Sequence, residues 1–241
     1  MEQGQASIAK FIDSSIDQII DWASIEPEKV LEELHARKVK RADGLPVTAI
    51  EDLQHVKLGD ASTVARSFIK SYTQMAAGQG FVTGLGGMIA LPASVPTDVA
   101  AYLGWLARTA SAVQLCYGFE HRTETADAQL KIAMLAGAGV STLTLQGTEI
   151  LVTQLGRRVM TTPYAQAPIQ AVVRALARKV GITLTHRSFA RAVPVVGGVV
   201  NGSVQGGLVY AGGNRIHAYY RQIATSQPTV SDPDEIPSPT S

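Results

Sequence analysis

Asp98, Arg108 and Asn201 are the polar side chains best placed to do chemistry, because each sits in a stretch almost free of other charge. Asp98 follows Pro96 at the expected start of a helix, where free N–H groups and the helix dipole favour a carboxylate, so it reads first as a cap. In a glycine-lined pocket beside Arg108 or Arg215 it would instead orient a ligand or act as an acid/base group. Arg108 falls in an otherwise uncharged run from Val99 to Phe119. Its partner must therefore be Asp98, a backbone carbonyl or a ligand anion. Asp98 is ten residues away on the same predicted helix, nearly three turns, so a direct pair is out of reach. Asn201 reads as a hydrogen bond between helices or as a ligand contact.

Other reaction chemistries find little support. Cys116, the single cysteine, excludes an internal disulfide and reads as a buried, inert thiol. His35, His55, His121, His186 and His217 are scattered without ligand spacing, so no zinc site is expected. No Gly-x-Ser-x-Gly elbow occurs. Gly78, Gly80 and Gly84 miss the dinucleotide spacing, and no Gly-Lys-Ser/Thr follows, so no nucleotide or other cofactor is expected. Arg157-Arg158 and Arg174, Arg178 and Lys179 are spaced to form helix-face basic patches. Without interleaved aromatics or a reader motif they fit lipid headgroups or acidic protein rather than nucleic acid.

The elements that must position these groups read as helices throughout. Ile8 to Ala23 carries an apolar stripe at three- and four-residue spacing. Pro27-Glu28 opens a second helix, which ends in the basic run Arg37 to Arg41. Asp43-Gly44-Leu45-Pro46 is a turn, and Thr48 to Lys57 a short helix. A further helix, capped by Asp60, leads into Ser71–Thr97, which runs for 27 positions without a charge and holds five glycines. A helix over Thr97 to Tyr117 is closed by Gly118, and Thr123 starts the next. Residues 144–160, 165–180 and 186–193 suggest three more, and Val196 to Ile223 the last. The expectation is one all-α domain of about eight to ten helices over residues 1–224, with a disordered tail at 225–241 rich in Pro, Ser and Thr.

Glycine recurs every fourth residue at Gly80 and Gly84 and again at Gly198, Gly202 and Gly206. Each costs about 1 kcal/mol relative to alanine inside a helix. The repeats therefore predict a groove in which the two segments pack, or a ligand lies, against bare backbone. Ser71–Thr97 and Ala192–Asn214 are long enough to span a bilayer, but their Gln, Asn, Thr and Pro residues argue for a buried or surface-seated role.

Only 17% of residues are charged and 6% aromatic, with 22 glycines, a mixture suited to closely approaching helices. The net charge of +1 hides an asymmetry. Residues 1–149 hold 12 Lys/Arg against 17 Asp/Glu, a balance of −5, whereas Ile150 to Ser231 has nine basic residues and no acid. That half either complements the acidic one or offers a basic face to an anionic partner. The N-terminus has no basic segment followed by an apolar one, so a cytoplasmic protein, peripheral to a membrane at most, is expected.

The order of the motifs resembles the EcsC family: the glycine segment, Pro96-x-Asp98, Arg108, Tyr117-Gly118, then Pro194-x-x-Gly197-Gly198-x-x-Asn201, Arg215 and Tyr219. The resemblance covers roughly Ile50 to Arg221, leaving the N-terminal helices and the tail outside. It implies a helical fold and, because the family is named after a protein encoded beside an ABC transporter in Gram-positive bacteria, a membrane or transporter partner; it implies no reaction. The function expected is therefore a non-enzymatic accessory protein that binds a membrane surface or lipid-like anion. Alternatives are an enzyme using Asp98, Arg108 and Asn201, or an interaction or cargo subunit using the tail.

Overall fold

The computed structural model describes residues 16–84, 91–139 and 194–226. Six helical elements are bounded there. They are α1 (Pro27–Ala36), a 3-10 helix (Ile50–His55), α2 (Leu58–Gly84), α3 (Leu91–Cys116), α4 (Glu124–Gly137) and α5 (Pro194–Ser226). Residues 16–23 are helical as well. No strand occurs among the described residues, only isolated bridges pairing Lys40 with Pro46 and Arg41 with Val56. The expected eight to ten helices are thus not reached in the described part. The three read over 144–160, 165–180 and 186–193, and the tail from residue 227 on, lie outside it.

Local chemistry explains most boundaries. Pro27 occupies the first turn of α1, where its missing N–H costs nothing. Asp43 Oδ1 accepts the Leu45 N–H at 3.0 Å, and Gly44 takes φ +87° to close that turn. The short helix expected at Thr48–Lys57 is a 3-10 helix over Ile50–His55. Asp52 reaches back there to accept the Thr48 and Ala49 N–H groups at 2.8 and 3.0 Å. Those two donors, helped by the Thr48 hydroxyl and Arg41, hold its carboxyl at about 2. At the end of α3 the Gly118 N–H bonds the Leu115 carbonyl and the Phe119 N–H bonds the Gln114 carbonyl, the paired pattern of a left-handed cap, with Gly118 at φ +71°. A side chain there would also run into the backbone of Gln54, so glycine joins α3 to the 3-10 helix. Thr123 caps α4 by accepting the Ala126 N–H at 3.1 Å.

Three helix starts come earlier than expected, α5 beginning at Pro194 instead of Val196. α3 begins at Leu91, not Thr97, so Pro92 falls in its first turn and Pro96 within the helix. Asp98 is therefore not at a helix N-terminus, and the cap expected of it is not needed. Asp60 likewise lies inside the first turn of α2 rather than before it, where its charge still favours the dipole.

The long helices form a bundle whose register is readable from point contacts. Ser62 meets His217, Ile69 would touch a Cβ on Gly213, and Ala77 one on Gly206, so α2 and α5 run antiparallel over about three turns or more. α3 runs parallel to α5: Leu106 crowds Gly212, Thr109 crowds Gly213, and Tyr117 reaches His217. α4 returns alongside, with Gln114 bonding the Ala126 carbonyl at one end and Gly137 beneath Ile216 at the other. Leu103, Leu106, Ala107, Ala110, Val113, Val64, Ile69, Val209, Ile216 and Tyr220 fill the core between them. The backbone of α5 comes close enough that only glycine fits at 206, 212 and 213.

This register sorts charge along the bundle. The C-terminal half of α2 after Lys70, the N-terminal half of α3 and α5 before Arg215 all run toward the same end. Asp98 is the only charged residue in those three helix portions up to Arg108. Arg66, Lys70, Arg215 and Arg221, with the 3-10 helix, lie toward the other end.

Candidate functional site

Where the uncharged portion of α3 ends, four side chains from three elements converge. Trp22 of the N-terminal helical segment covers Gly104, whose missing Cβ leaves the ring a place at 3.2 Å. Trp105 donates its indole N–H to Gln79 Oε1 of α2 at 2.7 Å and stacks obliquely on Tyr72, centroids 6.0 Å apart. Arg108, one turn further along α3, bonds the Ala23 carbonyl through Nε at 3.3 Å. It makes no ion pair among the described residues. Burial pushes the Tyr72 hydroxyl up to about 12, with the nearby Arg108 charge pulling against it. Trp22, Gln79, Ala101, Gly104, Trp105 and Arg108 line a slot of about 50 Å³. Trp22 remains 76% exposed at its lip.

The slot is lined by a guanidinium and an amide, with no carboxylate. An indole N–H only donates, so the Gln79 oxygen must face Trp105, and the Gln79 amide nitrogen is left as a donor. A guanidinium only donates too. The slot therefore offers donors and aromatic faces, a setting for an oxyanion attached to something apolar.

The other residues picked out from sequence do not join this site. Asp98 is ten residues from Arg108 on one continuous helix, about 15 Å along the axis. Gly84 ends α2 and Gly198 lies in the first turns of α5, while the side chains of Asp98 and Asn201 lie outside the described part. Gly80 and Gly202 are buried. Arg215 lies against the end of α4, donating from Nη1 to the Gly137 carbonyl at 3.2 Å beside Gly139 at φ +78°. That places a cation on the orphan carbonyls of a helix C-terminus, a structural task. Arg157, Arg158, Arg174, Arg178 and Lys179 fall outside the described residues. Cys116 is buried, and burial pushes its thiol far up, so it is no nucleophile.

Two groupings escaped the sequence. His217 Nε2 lies 2.9 Å from the Ser62 hydroxyl and 3.0 Å from the Tyr117 hydroxyl. The distances would suit a hydrolase dyad, but His217 is buried, and the charges acting on it are Arg66 and Arg221 rather than a carboxylate. Burial first, then those two cations, holds its pKa below the ordinary value and keeps it neutral. The second is a polar cavity of about 330 Å³ among Asp21, Ser24, Gln114, His121, Arg122 and Asp127. Burial raises Asp127 and lowers His121 there. Among the described residues no three His, Cys, Asp or Glu side chains are grouped to hold a metal ion.

A family model described as the EcsC protein family matches residues 5–222. The chain belongs to the EcsC family. The match starts well before Ile50, so the N-terminal helices, Trp22 among them, are part of the EcsC unit and not an addition to it. No curated protein and no solved structure matches the chain.

Proposed function

We propose that this EcsC-family chain is a non-enzymatic accessory protein that seats one end of its bundle in the headgroup layer of a membrane. The carrying observation is the segregation of charge along the axis: α2 after Lys70 and α5 before Arg215 turn long uncharged, glycine-rich portions toward one end, and the α3 portion beside them carries Asp98 as its one charge. Met75 is 53% exposed on that portion of α2, and Trp22 lies exposed at its border, the level at which tryptophan is enriched in membrane proteins. Among the described residues no helix is long and apolar enough to cross a membrane, which suits shallow seating rather than a span. The basic pairs at Arg157-Arg158 and Arg174 to Lys179 would add attraction to anionic lipid, and a transporter is a natural neighbour for a protein held there.

Co-sedimentation with vesicles of phosphatidylcholine and phosphatidylglycerol tests the reading. Binding is expected at low salt, with a fraction that persists at high salt because the uncharged end contributes apolar burial. Protein that stays in the supernatant at low salt would sink the proposal.

A further inference from the structure

The slot at Arg108 rests on the same reading but makes a narrower claim about a ligand. We infer that it binds the phosphate of an amphiphile, with Arg108 and the Gln79 amide nitrogen on the oxyanion and the Trp22 and Trp105 rings against the adjoining alkyl part.

Three observations lead there. First, Arg108 is the lone cation in a run of uncharged α3 sequence, its only described contact through Nε is a long bond to the Ala23 carbonyl, and it has no carboxylate among the described residues. A guanidinium with donors to spare can give a phosphate oxygen charge-assisted hydrogen bonds. Second, the hydrogen bond from Trp105 orients the Gln79 amide and leaves its nitrogen as a donor near the Arg108 guanidinium, with no carboxylate in the lining. A cationic headgroup such as choline would meet the Arg108 charge, whereas phosphate accepts from both groups. Third, the slot holds about 50 Å³. That exceeds the ~30 Å³ share of one water molecule, giving room for a group of a few atoms. The exposed Trp22 ring then extends an apolar wall outward from it, toward the uncharged end.

The chain's two tryptophans are both slot residues, so intrinsic fluorescence reports on this place alone. The purified full chain is titrated with dihexanoyl phosphatidic acid below its micelle concentration, and separately with inorganic phosphate. A saturable emission shift with the lipid, and at least tenfold weaker affinity for inorganic phosphate, is the expected result. Arg108→Gln should weaken lipid binding at least tenfold, with helical circular dichroism recorded to show that the fold is kept. Trp22→Ala, at an exposed position the fold tolerates, should weaken it as well while Trp105 still reports. No shift, unchanged affinity in either variant, or inorganic phosphate binding as tightly as the lipid would overturn the assignment. Because this titration uses no bilayer, its failure is separable from failure of the vesicle experiment: a protein that sediments with vesicles but ignores the short-chain lipid keeps the surface role and loses the slot.

Discussion

His217 shows how one side chain can matter without doing chemistry. It ties the start of α2 to the end of α3 through the Ser62 and Tyr117 hydroxyls, and burial with Arg66 and Arg221 holds its pKa below the ordinary 6.5. The unfolded chain therefore takes up a proton before the folded one does. Above about pH 6.5 both states are neutral and the full contribution is present; as pH falls below that value, folding stability drops toward the folded-state pKa. His121 is shifted the same way and adds to the slope. Urea midpoints measured at pH 7.5 and 5.5 should fall in the wild type and fall less in His217→Gln, which has no proton to take up. Equal slopes in the two proteins would refute this account. None of it was legible in the sequence, because the partners of His217 lie 155 and 100 positions away. The Arg108 slot was half legible. An arginine in an uncharged run signals a missing partner, but nothing local connects it to Gln79, Trp22 or the carbonyl of Ala23.

At the scale of elements, caps read well and packing glycines did not. Gly118 and Thr123 terminate and start helices through bonds within a few residues, so their roles follow from neighbours in the chain. Packing glycines depend on what faces them. The four-residue repeat singled out Gly198, Gly202 and Gly206, and Gly206 does face α2, with the Ala77 Cβ only 2.9 Å from where its own would be. The tight positions outside that repeat are Gly212 against Leu106, Gly213 against Ile69 and Thr109, and Gly137 against Ile216. Gly207, next to the ridge, faces open space. Alanine should separate the two kinds. At Gly207 it should stabilise by about 1 kcal/mol, the helix-propensity difference alone. At Gly213 the new methyl would lie 2.8 Å from Ile69 Cγ2, a buried branched side chain with little freedom to yield. The expected cost there is roughly 1–3 kcal/mol. Thermal or urea unfolding of the two variants decides it, and a neutral Gly213→Ala would mean the helices can slide apart cheaply. The early start of α3 was missed for a related reason. Pro92 and Pro96 signal a boundary, but a proline in the first turn lacks nothing the helix needs, and α3 runs on through Pro96.

For the whole molecule, the proposed membrane role turns on which end of the bundle each residue occupies, and that is a matter of register between distant helices. The sequence displays two uncharged runs; only the antiparallel course of α2 and α5, with α3 parallel to α5, lays them side by side. If that end meets a membrane, the same substitution should have opposite consequences at its two poles. Met75 is 53% exposed on the uncharged part of α2, and Leu45 is 55% exposed in the turn before the 3-10 helix, toward the charged end. Both are solvated apolar residues of similar exposure, so replacing either with glutamate should change folding stability by no more than about 0.5 kcal/mol. Met75→Glu would have to carry a carboxylate into the headgroup layer against anionic lipid, and should lower vesicle affinity by about tenfold or more. Leu45→Glu should bind as the wild type does. Co-sedimentation of the two variants over a lipid titration measures the ratio directly. Equal affinities would show that vesicle binding, if observed, comes through the long-range field of the basic residues rather than through the uncharged end, since a single added acid would then weigh the same at either pole.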